Sequence, residues 1–101
     1  MTKTIDFDRL AIREIRDARR WYARKRADLE IRFISAFQAS SRRAAQTPQA
    51  CSPHLYGTRV VQLRKFPYWI VFVEEPQRIL ILGVMHSHRK PGYWRKRLPK
   101  P

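Results

Sequence analysis

Two apolar runs, Tyr68–Val73 and Ile79–Met85, constrain the fold of this chain more than any other feature. Both are rich in β-branched and aromatic residues, and only the polar stretch Glu74-Glu75-Pro76-Gln77-Arg78 separates them. So short a connection between two strand-forming runs specifies an antiparallel hairpin. Side chains alternate along a strand. Alternation therefore sets Tyr68, Ile70 and Phe72 against Trp69, Val71 and Val73 in the first strand. In the second it sets Leu80, Leu82, Val84 and His86 against Ile79, Ile81 and Met85. Both faces of the hairpin are thus apolar, so both need a cover.

The first half of the chain supplies one cover. Thr2–Phe7 reads as a short strand with Ile5 and Phe7 on one face, and Asp8 is suited to cap a helix. Ala11, Ile15, Ala18 and Tyr22 then recur at helical spacing, flanked by Ile12 and Trp21, while Arg13, Arg16, Arg19, Arg20 and Arg24 lie opposite. The helix is expected to end near Arg24–Arg26, where cations suit the negative end of its dipole. Asp28 is placed to cap a second helix with Glu30 in its first turn and an inner stripe of Phe33, Ile34, Phe37, Ser41, Ala44 and Ala45. That helix must stop near Thr47, because Pro48 disfavours helical backbone in the residue before it. A short connection forces the two helices into an antiparallel hairpin.

Gln49–Gly57, with Pro53 and Gly57, reads as loop; Thr58–Leu63 reads as a strand; Phe66-Pro67 reads as a tight turn with Phe66 packed inward. The order is β-α-α-β-β-β: an α+β fold with the helical hairpin on one face of a small antiparallel β-sheet, and one domain over 1–101. One helical hairpin covers one sheet face. Trp69, Val71, Val73, Ile79, Ile81 and Met85 are therefore expected to form a bare apolar face that a second polypeptide covers, since the tail after Trp94 is mostly charged. Burying side chains of this size is worth about 1.5–3 kcal/mol each.

Charge narrows the kind of partner. The chain carries 22 Lys and Arg against 8 Asp and Glu, a formal +14, and His86–Pro101 holds basic residues and no acid. Such a field draws in polyanions or an acidic protein. No apolar run reaches the 18 or so residues of a membrane span, the N-terminus has no secretory h-region, and Cys51 is a lone loop thiol suited to a reducing compartment, so a cytoplasmic location is expected.

The tail also holds the residues with chemical potential. His86 and His88 share a face, but a metal site needs further ligands and the tail has no carboxylate; no Ser or Cys triad and no phosphate-binding glycine loop is present. No metal and no cofactor is expected. Metal-free RNA cleavage needs a base, an acid and cations for the phosphorane charge. His86, His88, Tyr93, Arg64 and Arg89 are the types for those roles, and Tyr93 or Trp94 is suited to stack on a base. Equally, Tyr93 and Trp94 are suited to pack on the sheet edge, leaving the cations merely exposed.

Taken together, A-x-x-E-I-x-x-A-x-x-W-Y (Ala11 to Tyr22), F-x-x-x-F (Phe33 to Phe37), Pro48, R-K-F-P-Y (Arg64–Tyr68) and H-x-H-R-K-P-x-Y-W-x-x-R (His86–Arg97) make a pattern. It resembles that of the RelE/ParE toxin superfamily of bacterial type II toxin–antitoxin modules. The resemblance runs over nearly the whole chain, and the F-P-Y and H-x-x-R-x-P-x-Y-W elements carry most of its specificity. It implies a helical hairpin on an antiparallel sheet and a cognate antitoxin, often with an acidic C-terminal segment, covering the open apolar surface. It also implies one of two targets: DNA gyrase for ParE-like members, or mRNA in the ribosomal A site for RelE-like endonucleases. The long helical hairpin and the P-x-Y-W tail look more ParE-like. On that branch His88, Arg89, Tyr93, Trp94, Arg95 and Arg97 are expected to meet gyrase, and catalytic residues are not assigned. On the RelE branch Arg64, His86, Arg89 and Tyr93 would be catalytic. A third possibility is an inactive homologue acting as co-repressor, with operator DNA reached only through the antitoxin.

Overall fold

The computed structural model describes residues 2–100. Strand β1 (Thr4–Phe7) leads into helices α1 (Arg9–Lys25) and α2 (Ala27–Gln46), followed by strands β2 (Ser52–Pro53), β3 (Arg59–Gln62), β4 (Tyr68–Glu74) and β5 (Arg78–His86). The five strands form one sheet in the order β1-β5-β4-β3-β2, so the apolar hairpin β4–β5 lies at its middle. Tyr68 opposes His86 at one end of that hairpin and Glu74 opposes Ile79 at the other.

The sheet is mixed rather than wholly antiparallel. β1 runs parallel to β5, pairing Thr4 with Arg78 through Phe7 with Ile81. The segment expected to be plain loop contributes β2, antiparallel to β3 at the far edge of the sheet. β1, β3 and β5 run one way, and β2 and β4 the other.

Asp8 caps α1 as its position suggests, accepting a 2.8 Å hydrogen bond from the Leu10 N–H. Ala11, Ala18 and Tyr22 are buried along the inner stripe. A single extended residue, Arg26 (φ −161°), separates α1 from α2. Because Arg26 takes the boundary position itself, Asp28 lies inside the first turn of α2 rather than capping it. Its carboxylate instead takes two hydrogen bonds from the Arg26 guanidinium, at 2.8 and 2.7 Å. α2 ends at Gln46, as Pro48 requires.

The helices pack on one sheet face over Phe33, Phe37, Ala44, Ile70, Phe72, Ile79 and Ile81. An aromatic cluster closes one end of this core: Tyr22 lies 5.3 Å from Phe33 and 5.0 Å from Phe66, and Phe33 lies 5.5 Å from Tyr68. Phe66 thus packs inward from its turn.

The face assignment of β5 departs from strict alternation. Val71 pairs with Gly83 and Phe72 with Ile81, so Leu82 is an extra residue in a β-bulge. The bulge inverts the alternation across it. Ile79 and Ile81 turn under the helices and are fully buried there, whereas Leu82 and Met85 join Val71 on the opposite face. Ile79 and Ile81 therefore do not belong to an outer apolar surface.

Candidate functional site

The opposite sheet face is closed by the chain itself. After β5 the backbone turns, with the Arg89 N–H bonded to the His86 carbonyl at 2.9 Å, and returns over the sheet. Trp94 is fully buried among Val60, Val71, Leu82 and Met85, with Tyr93 and Leu98 packed at its flanks. The expectation that this face lies bare is corrected: the chain's own tail covers its centre. Although the tail is mostly charged, one large indole with Leu98 beside it fills the hollow, while Arg89, Lys90, Arg95 and Lys96 stay exposed. Trp69, Val73 and Leu80 remain half-buried at the rim of this second core.

The tail is pinned by an ion pair to α1. β1 pairs with β5 only from Arg78 to Ile81, which leaves the edge of β5 beyond Ile81 without a neighbouring strand. Glu14 and Arg97 satisfy the backbone there. The Val84 N–H donates to Glu14 Oε1 at 2.9 Å, and Arg97 Nη1 donates to the Leu82 carbonyl at 3.0 Å. The two side chains also meet each other, Nη1 to Oε1 at 3.0 Å and Nη2 to Oε2 at 3.2 Å. A paired Arg–carboxylate fork of this kind fixes both orientation and distance. Gly83 makes room for it, since a Cβ there would lie 3.3 Å from Glu14 Oε1, Arg97 Nη1 and the Tyr93 hydroxyl.

Tyr93 belongs to the same knot. Arg89 and Arg97 stack on its ring, at 3.9 and 5.0 Å from the centroid. Burial above all, helped by the neighbouring Glu14 carboxylate, holds its phenol protonated far above the ordinary tyrosine range.

Next to this knot, α1 and β5 enclose a cleft of about 530 Å³ lined by Glu14, Asp17, Trp21, Tyr68, His86 and Arg89, among others. The His86 ring meets Tyr68 edge-on at 5.2 Å, and His86 Nδ1 accepts the His88 N–H at 3.1 Å. That bond leaves Nε2 to carry the proton of the neutral imidazole. The cleft therefore offers an imidazole, a guanidinium, two carboxylates and an exposed indole, Trp21.

The candidate residues thus separate into groups. His86 and Arg89 share the cleft, and Tyr93 touches Arg89 but keeps its hydroxyl inside. Arg64 sits exposed before Phe66-Pro67, outside the cleft lining. Among the tail residues expected to meet a target, His88, Arg89 and Arg95 are exposed, with Arg95 over the Tyr56 ring at 4.5 Å. Trp94 is enclosed, and Arg97 is spent on Glu14. Among those expected to meet an antitoxin, Val71 and Met85 lie under Trp94, and only Trp69 and Val73 stay partly reachable.

A second feature was not singled out from sequence. Phe7, Ile12, Ile15, Ile34 and Phe37 line an apolar groove of about 470 Å³ between α1 and α2, rimmed by Arg16, Arg19 and Gln38. Its signal was Ile12 lying off the inner stripe; Ile12 is 43% exposed and Phe7 37% exposed.

Residues 5–91 match a family described as the ParE toxin of type II toxin–antitoxin systems, parDE. Trp94 and Arg97 lie past the matched segment, so the closure they make is known from geometry alone. Among solved structures, the fold is similar to that of the chromosomal ParDE toxin–antitoxin system from P. aeruginosa, at 15% identity and a TM-score of 0.73, covering 84% of this chain and 96% of that one. It is also similar to the free E. coli toxin RelE, a double-arginine mutant, at 17% identity and a TM-score of 0.58, covering 98% of this chain and 100% of that one. No curated protein matches this chain.

Proposed function

This chain belongs to the ParE toxin family of type II toxin–antitoxin systems, and we propose that it acts as a binding inhibitor of DNA gyrase restrained by a cognate antitoxin. The observation that carries the inhibitor reading is the state of Tyr93. Tyr93 is one of the residues suited from sequence to proton exchange or base stacking in RNA cleavage, and its hydroxyl is buried beside Glu14. A phenol held protonated by burial is a poor base. Trp94 and Arg97 support the inhibitor reading differently than expected from sequence: they hold the tail rigid, and His88, Arg89 and Arg95 are the side chains it presents to the target.

The antitoxin is assigned to the α1–α2 groove rather than to the sheet. An amphipathic segment with acidic residues suits apolar walls rimmed by Arg16 and by Arg19, the latter already paired with Glu30. Trp69 and Val73 then serve as a secondary contact at most. No helix among the described residues is long and apolar enough to cross a membrane, in keeping with a target in the cytoplasm.

The deciding experiment is a supercoiling assay with purified gyrase, with and without antitoxin. Inhibition that antitoxin relieves supports the proposal. Unimpaired supercoiling, together with cut mRNA in a translation extract, would move the function to the ribosome. One observation favours that second reading: His86 and Arg89 share a cleft with the half-exposed Trp21 indole, over which Lys25 adds a cation.

A further inference from the structure

We propose that the outer face of α1 binds the phosphodiester backbone of a nucleic-acid duplex through Arg9, Arg13, Arg16, Arg20 and Arg24. These residues are spaced by four, three, four and four positions. At 3.6 residues per turn such spacing keeps all five in one row, about 22 Å long. The row lies opposite Ala11, Ala18 and Tyr22, which are buried against the sheet, so it points directly away from the body of the protein. All five arginines are exposed. The ion pairs among the described residues go elsewhere, to Lys3, Arg19, Arg26, Arg32, Arg78 and Arg97. Asp17 borders the row and makes no ion pair with it, and the first turn of α1 contains no acid.

Arginines repeated four apart repel one another along a helix. An evenly charged anion relieves that repulsion. A duplex strand offers one phosphate about every 3.4 Å of axis, so about six fall within the length of the row. An acidic peptide is the weaker fit, because peptides are held by apolar anchors as well as charge. The row has no large apolar side chain within it, whereas the groove on the flank of α1 does. Recognition of this kind is independent of base sequence, and it does not depend on gyrase being the target.

The test is fluorescence anisotropy with short labelled duplexes of arbitrary sequence, one DNA and one RNA, across a series of KCl concentrations. A plot of log Kobs against log[KCl] is expected to slope at about −4 for the intact chain. Arg13→Gln/Arg20→Gln/Arg24→Gln is expected to shallow the slope by about 3. Lys90→Gln/Lys96→Gln/Lys100→Gln removes the same charge from the tail and is expected to leave the slope nearly intact. Row-dependent binding of either duplex, or both, supports the proposal and identifies the source of the phosphates. Equal shallowing by both triple variants would mean that only the general +14 field is felt, and would overturn it. Row-dependent binding of polyglutamate but of neither duplex would overturn it in favour of an acidic protein. Thermal melts of both variants exclude unfolding as the cause of a lost slope.

Discussion

Glu14 and Arg97, 83 positions apart in the chain, meet at 3.0 Å over Gly83 and tie the first helix to the tail. The pair does two things at once. It satisfies the Val84 N–H and the Leu82 carbonyl on the part of β5 that β1 is too short to reach, and it anchors the segment that buries Trp94. An exposed strand edge invites unwanted pairing. Here the edge is closed by two side chains instead of a strand.

Arg97→Ala leaves the Glu14 carboxylate mostly enclosed, its side chain being 18% exposed, with no cation beside it. The expected cost is about 2–3 kcal/mol, below the range for fully buried pairs because both groups keep some water. Glu14→Ala should cost a similar amount. The double variant should cost at least ~1 kcal/mol less than the sum, since neither charge is then stranded. Urea unfolding of the four proteins measures this, and strictly additive costs would show that the pair does not couple helix to tail.

Much of the architecture was legible in the residues, and what was not has specific causes. The helical stripes, the Asp8 cap, the stop before Pro48 and the β4–β5 hairpin follow from local periodicity. The faces of β5 did not, because alternation assumes an unbroken period of two, and the only hint of the bulge is one glycine inside an apolar strand. The parallel sense of β1 is a pairing with the distant β5, which leaves no local signal in the residues of either strand. The tail misled through its charge: packing of Tyr93 and Trp94 on the sheet edge stood open from sequence, but the count of cations weighed against the tail closing that face. Glu14 stood in the helix pattern only as a letter of the resemblance, and its role was not legible, since its partner is remote in sequence and the contact arises only when α1 lies along β5.

Trp94→Ala empties the centre of the second core. Removing a fully buried indole is expected to cost about 3–5 kcal/mol, which lowers the melting temperature of a domain this size by about 4–8 °C per kcal/mol. Trp94→Phe should cost clearly less, because the indole N–H has no hydrogen-bond partner to lose. Calorimetry distinguishes the outcomes. A loss under about 1 kcal/mol for the alanine variant would contradict the closure described for this face.

Asp28 supplies a pH prediction. Hydrogen bonding from Arg26 holds its carboxyl at about 2, well below the ordinary carboxylate value. The folded value lies below the unfolded one, so this contribution is complete above the ordinary carboxylate range and disappears as pH falls through about 2. A carboxyl-detected NMR titration should give a midpoint near 2 for Asp28. In Arg26→Ala the midpoint should return toward the ordinary value, with the sharp passage between α1 and α2 loosened. An unchanged midpoint would show that Arg26 is not the cause.

The groove between the helices permits a separation of binding from folding that the sheet does not. Ile12 is 43% exposed and lies outside the main core, so Ile12→Asp gives up only part of a side chain's burial and should cost about 1–2 kcal/mol. If the antitoxin seats an apolar residue between Ile12, Ile34 and Phe37, the new carboxylate must be desolvated on binding. Affinity should then fall by about 10- to 100-fold. Trp69→Ala on the sheet rim should change affinity far less, since Trp94 already occupies the centre of that face. Calorimetric titration of each variant with the cognate antitoxin separates the two surfaces. Retained binding in Ile12→Asp with loss in Trp69→Ala would return the antitoxin to the sheet.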